Sequence, residues 1–208
     1  MLKNKVYFIA LIVVLCSLVV GLLKVRKVEI KNTDSKGKSI ICFGDSITFG
    51  YGAEQGEDYP TALAKLLKAT VLNAGIDGDT TVEALKRLQS DVLGRNPRLV
   101  IIEFGGNDFL RGIPMETTIN NVREMIERIQ ANDAMVAIAD ISAGIFMKDY
   151  RRALSIIAKE KGVIFIPAIL NDIITNPTMK SDFLHPNANG YKIIAASIFT
   201  AIKPYLKI

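Results

Sequence analysis

The 208-residue sequence has one histidine, two cysteines, no tryptophan, and only 7% aromatic residues. Each scarcity narrows the function. Cys16 falls in an apolar N-terminal run and Cys42 in an expected buried strand, so they form no disulfide framework, and no metal-ligand spacing is present. So few aromatic rings argue against a stacking platform for bases. The Gly44–Gly52 stretch lacks the Gly-Lys-Ser/Thr element of a phosphate-binding loop, which argues against an NTPase. A broad basic face is also missing. The net charge is +5, but residues 1–38 carry eight Lys/Arg against Glu29 and Asp34, a net of +6, which leaves the remainder at −1. A nearly neutral domain cannot neutralise many phosphates, so no nucleic-acid partner is expected.

Half the residues are hydrophobic, enough for one packed domain and a short appendage. Val6 to Leu23 is an unbroken apolar or small run; as a helix, eighteen residues rise roughly 27 Å, about one hydrocarbon core. The sequence around Gly21-Leu22-Leu23-Lys24 matches no small-x-small cleavage site, and Leu15-Cys16 lacks the small residue expected before a lipoprotein cysteine. An uncleaved single-pass anchor is therefore expected over residues 1–30, in preference to a cleaved signal or a buried helix. Lys24, Arg26, Lys27 and Lys31 outnumber Lys3 and Lys5, which taken literally favours a cytoplasmic domain. A short basic N-terminus before one apolar run more often exports the domain beyond it, and the extracytoplasmic side is the expectation. Residues 31–38 are polar and turn-rich and are expected to be a linker; residues 39–208 form the domain.

Within that domain, nearly continuous apolar runs at Ser39–Phe43, Val71–Asn73, Leu99–Phe104, Met135–Ala139 and Val163–Ile166 fit strands buried on both faces. Helices are expected at about 59–69, 80–94, 116–131, 150–161 and 188–203. Thr118, Val122, Met125, Ile126 and Ile129 make a one-sided stripe, and Asn132 and Gly162 are plausible stops. The alternation implies an α/β fold with a five-stranded parallel sheet, covered on both sides and carrying its ligand site beyond the carboxyl ends of the strands.

Four polar motifs come after strands. Gly44-Asp45-Ser46 can present a serine hydroxyl on a tight turn, or Ser46 or Asp45 can simply cap a helix. Gly78, in Asp77-Gly78-Asp79-Thr80, can turn a backbone N–H towards a site, or the loop can merely cap the next helix. In Gly105-Gly106-Asn107-Asp108 the Asn107 amide is a donor for an oxyanion or part of a plain turn. The sole histidine lies in Asp182-Phe183-Leu184-His185-Pro186, where a carboxylate three residues earlier can orient the imidazole; a lone histidine is more often structural. Together the motifs supply every part of an acyl-transfer site at one sheet edge.

In this order and spacing, from about Lys38 to the C-terminus, the motifs resemble the SGNH hydrolases, or GDSL-type esterases and lipases. They most resemble the bacterial thioesterase/lysophospholipase branch. The resemblance implies a flavodoxin-like three-layer α/β/α sandwich, here preceded by one transmembrane helix, and metal-free hydrolysis of carboxylic esters or thioesters without a cofactor. It further implies Ser46 as nucleophile, His185 as base and Asp182 as its orienting carboxylate. The oxyanion would be held by the N–H groups of Ser46 and Gly78 and the Asn107 amide. Residues 140–147 look different from that branch. Phe109, Leu110, Ile113, Ile145 and Phe146 could form an apolar rim for a small-molecule or lipid-like ester, or pack as ordinary loop residues. Two rivals stay open: an O-acetylesterase acting on carbohydrate or cell wall, and a non-enzymatic, membrane-anchored flavodoxin-like binding module.

Overall fold

The computed structural model describes residues 28–143 and 147–206. Five strands, β1 (Ser39–Gly44), β2 (Val71–Gly75), β3 (Pro97–Glu103), β4 (Met135–Ala139) and β5 (Ile164–Ile166), form one parallel sheet in the order β2-β1-β3-β4-β5. The chain goes from β1 to one neighbour and then returns to the other side for β3. The strand order therefore reverses at β1, where an open parallel sheet leaves a crevice beyond its carboxyl ends.

Alternate strand residues feed two separate cores, because successive side chains point to opposite faces. Ile40, Cys42, Leu99 and Ile101 pack against α2 (Tyr59–Leu67) and α8 (Ala188–Ile202) through Leu63, Tyr191, Ile194 and Ile198. Ile41, Phe43, Val100 and Ile102 face α3 (Thr81–Asp91), α5 (Met115–Ala131) and α6 (Lys148–Lys161) through Leu88, Met125, Ile126 and Leu154. Fully burying each such apolar side chain is worth about 1.5–3 kcal/mol, so the sheet is held from both sides. The α5 stripe buries all five residues expected of it, and Asn132 and Gly162 do end their helices, the latter in a left-handed conformation that suits glycine. Three short helices, α1 (Ser46–Phe49), α4 (Gly106–Leu110) and α7 (Asn171–Ile174), were not expected from periodicity because one turn has no period to read.

One part of the expected architecture needs correction. Among the described residues no helix is long and apolar enough to cross a membrane. The long helix α5 has 17 residues and sets Glu116, Arg123, Glu124, Glu127 and Arg128 alongside its buried stripe. Its apolar stripe belongs to the domain core. The expected span Val6–Leu23 lies outside the described residues. The fold is accordingly the five-stranded α/β domain, and the transmembrane helix, the membrane as a partner and the single-pass extracytoplasmic placement are withdrawn. Residues 31–38, expected as a linker, touch the domain: Lys31 N donates to Gly162 O at 2.9 Å and Asn32 Nδ2 to Gln130 O and Ala134 O.

Candidate active site

The turn that carries Ser46 forms where β1 stops. Asp45 caps α1, its carboxylate accepting from Ile47 N at 3.1 Å, and Ser46 comes next as the first helical residue, 8% exposed. Gly50 ends the turn at φ +96°, a conformation that glycine adopts without steric cost.

The histidine arrives from the other end of the chain. An antiparallel bridge between Lys180 and Pro186 closes the loop ahead of α8, and Ser181 N donates to His185 O at 3.0 Å. Inside it, Asp182 Oδ1 accepts from the backbone N–H groups of Leu184 and His185, both at 2.8 Å, which leaves Oδ2 to meet His185 Nδ1 at 2.8 Å. His185 Nε2 lies 3.1 Å from Ser46 Oγ. The His185 N–H, with the ring and Leu184 N–H adding to it, holds the Asp182 carboxyl down to about 2. That carboxylate stays ionised near neutrality and favours the tautomer with its proton on Nδ1, leaving Nε2 free to accept from the serine hydroxyl. The Tyr51 ring packs on the imidazole with centroids 4.4 Å apart, a neighbour no sequence pattern pointed to.

Two further loops flank the serine because β2 and β3 flank β1. Gly44 stands in register with Gly75 on one side and Glu103 on the other. Gly78, at φ +77°, lies just past β2, and Asn107 sits in α4 just after β3. The Asn107 amide donates to Asp79 O at 3.0 Å and to Asp45 Oδ2 at 3.2 Å, so it bridges all three loops. Both bonds of the amide nitrogen thus go to groups of the site loops.

A second set of residues, whose roles were not read from sequence, stiffens the loops. Arg87 on α3 donates to Asp79 Oδ2 at 2.6 Å, to Ala74 O at 2.9 Å and to Gly44 O at 3.1 Å, and its guanidinium lies over the Phe43 ring. Asp108, fully buried, accepts from Thr81 N at 2.9 Å and Thr118 Oγ1 at 3.0 Å, tying α4 to the start of α3 and to α5. Asp108 stood in the Gly105–Asp108 motif with no role of its own, and Arg87 was one charge in an amphipathic helix. Among the described residues no cluster of three His, Cys, Asp or Glu could hold a metal. On the segments that follow β1, β2 and β3 and on the histidine loop, Phe49, Tyr51, Ile76, Phe109, Leu110 and Leu184 are left 42–64% exposed. Ile113 is half-buried. Ile145 and Phe146 lie outside the described residues.

A serine, an imidazole and a carboxylate in hydrogen-bonded sequence, beside a glycine loop and an asparagine amide, can perform acyl transfer. Comparison with known proteins agrees. The profile of the GDSL-like lipase/acylhydrolase family matches residues 42–193. The chain belongs to that family. Over 174 residues, covering 80% of the chain and 84% of the relative, it is 30% identical to thioesterase 1/protease 1/lysophospholipase L1 of Escherichia coli strain K12. It is also 30% identical to an arylesterase of Vibrio mimicus, over 81% of the chain and 90% of that protein. The crystal structure of TesA superposes with a TM-score of 0.77 at 27% identity, covering 81% of the chain and all of TesA. This GDSL-family protein is thus a serine ester hydrolase acting on small esters, and the binding-module reading falls away.

Proposed function

We propose that Ser46 is the nucleophile, His185 the general base and acid, and Asp182 the carboxylate that orients it. The observation that carries this reading is the unbroken line Asp182 Oδ2 – His185 Nδ1 – His185 Nε2 – Ser46 Oγ, with steps of 2.8 and 3.1 Å across the ring. As Oγ bonds to the substrate carbonyl carbon, its proton passes to Nε2, and the carbonyl oxygen gains the charge. Collapse breaks the bond to the leaving oxygen or sulfur, which takes the Nε2 proton. Water then attacks the acyl-enzyme, gives a proton to Nε2 and releases the acid, and the proton returns to Oγ. The charged oxygen is held by the N–H groups of Ser46 and Gly78 and by the Asn107 amide.

The substrates are carboxylic esters or thioesters of apolar acyl chains. The exposed apolar side chains on the loops that carry the site residues support this, since apolar contacts favour an acyl group over a sugar. The test is a series of acetyl, butanoyl and octanoyl esters with a lysophospholipid and an acyl thioester, run against wild type and Ser46→Ala. Turnover that rises with chain length and vanishes in Ser46→Ala is expected. A preference for acetylated sugars over every acyl ester would overturn the acyl assignment.

A further inference from the structure

A second carboxylate lies beneath the nucleophile turn and has no part in the acyl-transfer steps. Glu103 is the last residue of β3 and is fully buried. Its room comes from Gly44: a Cβ there would stand 2.6 Å from Glu103 Oε2 and would collide with Thr48 Oγ1. Glu103 Oε2 accepts from Thr48 Oγ1 at 2.8 Å and from Asp45 N at 3.4 Å. Those two contacts fall on the residue before Ser46 and on the residue two after it. Tyr59 Oη lies 2.9 Å from the same Thr48 hydroxyl, which extends the chain into α2. Asp45 in turn accepts from Ile47 N and from the Asn107 amide. Glu103 therefore touches the turn directly and is linked to the asparagine donor through Asp45.

We propose that Glu103 is a positioning residue for ester hydrolysis, holding the turn that presents Ser46 through Thr48 and Asp45. It does so as a neutral acid. Glu103 Oε1 is buried and has no hydrogen-bond partner, and an ionised oxygen left bare in such a site is strongly disfavoured. The titratable groups that interact with it are Cys42 of β1, Asp45 just beyond that strand, Tyr59 at the start of α2 and Tyr191 of α8. None of these is a cation. Burial first, and the Asp45 charge second, push the Glu103 carboxyl well above the usual carboxylate range. A residue that only filled space could be replaced by any side chain of its volume. One that clamps the turn needs its acceptor oxygen but not its charge.

This inference rests on the assignment of Ser46, so the experiment includes Ser46→Ala. The variants Glu103→Met, Glu103→Gln and Thr48→Val are purified and checked for wild-type far-UV spectra and cooperative melting. Each is then assayed for kcat, KM, pH profile and rate of fluorophosphonate labelling. Glu103→Met, which keeps volume and loses the acceptor, should lower kcat and the labelling rate about tenfold or more with KM unchanged, as lost hydrogen bonds of this kind imply. Glu103→Gln should restore most of that loss, with a pH profile that superimposes on the wild type. Thr48→Val should lower kcat several-fold and keeps the test open if Glu103→Met does not fold. Full kcat in Glu103→Met or in Thr48→Val overturns the proposal. So does a glutamine variant as slow as the methionine one, or one lacking a pH limb that the wild type shows. Retained turnover in Ser46→Ala would instead refute the nucleophile assignment, whatever Glu103 does.

Discussion

Replacing Asp45 by asparagine should alter how stability responds to pH more than it alters the fold. Asp45 is 2% exposed, and burial pushes its carboxyl up to about 7, against the relief given by Ile47 N–H, Glu103 and the nearby His185. In the unfolded chain the same carboxyl returns to about 3.9. Between those values the folded protein keeps a proton that the unfolded chain has released, so stability falls as pH rises from about 4 to about 7 and then levels off. A separation of about 3 pH units corresponds to about 4 kcal/mol. The asparagine variant has no such dependence. Its stability relative to wild type should therefore improve by about 4 kcal/mol from about pH 4 to about pH 8. Groups with the opposite sign, such as Asp182, held down to about 2, lose their contribution only towards the acid end and do so in both proteins, so they cancel in the difference. Urea unfolding of both proteins across this range, followed by far-UV circular dichroism, measures the difference directly. Parallel stability curves would refute the reasoning, because they would mean that Asp45 titrates alike in the folded and unfolded states.

Three further outcomes are expected. Asn107→Ala removes the amide that bridges Asp45 and Asp79, and should lower kcat about a hundredfold or more in a folded protein; an unaltered rate would remove its oxyanion role. Asp182→Asn should lower kcat by roughly 10²–10⁴ with KM little changed, since the ring loses the acceptor that sets its tautomer; steady-state kinetics of the folded variant checks it. Ile101→Ala, in the middle of the fully buried strand β3, should cost about 2–5 kcal/mol in denaturant unfolding and leave KM unchanged.

The strands were readable because a sheet buried on both faces requires continuous apolar runs, and all five fall within two residues of where the runs predict them. Three of the polar motifs were readable because they lie just past the ends of β1, β2 and β3, so topology brings them to one edge; the Asp182–His185 motif was readable as the sole histidine with a carboxylate three residues before it. What escaped was the polar layer beneath. Glu103 sat inside the apolar run Leu99–Phe104 and read as a strand residue; the cue was a carboxylate where a buried strand gains nothing from one. Arg87 looked like part of the polar face of an amphipathic helix, and only the structure places its guanidinium against the Gly44 and Ala74 carbonyls. Tyr51 against His185 joins residues 134 positions apart, a contact no local pattern encodes. The expected membrane span came from the length of one apolar run and the lack of a cleavage site after it, and among the described residues the structure offers no helix of that kind.

The central claim is that Ser46 forms the acyl-enzyme with His185 as its base. Peptide mass spectrometry after fluorophosphonate treatment of wild type, Ser46→Ala and His185→Ala tests it most directly. The account predicts one adduct on the wild type, carried by the peptide that contains Ser46, none on Ser46→Ala, and strongly slowed labelling of His185→Ala. An adduct on another serine, or equal labelling of all three proteins, would contradict it.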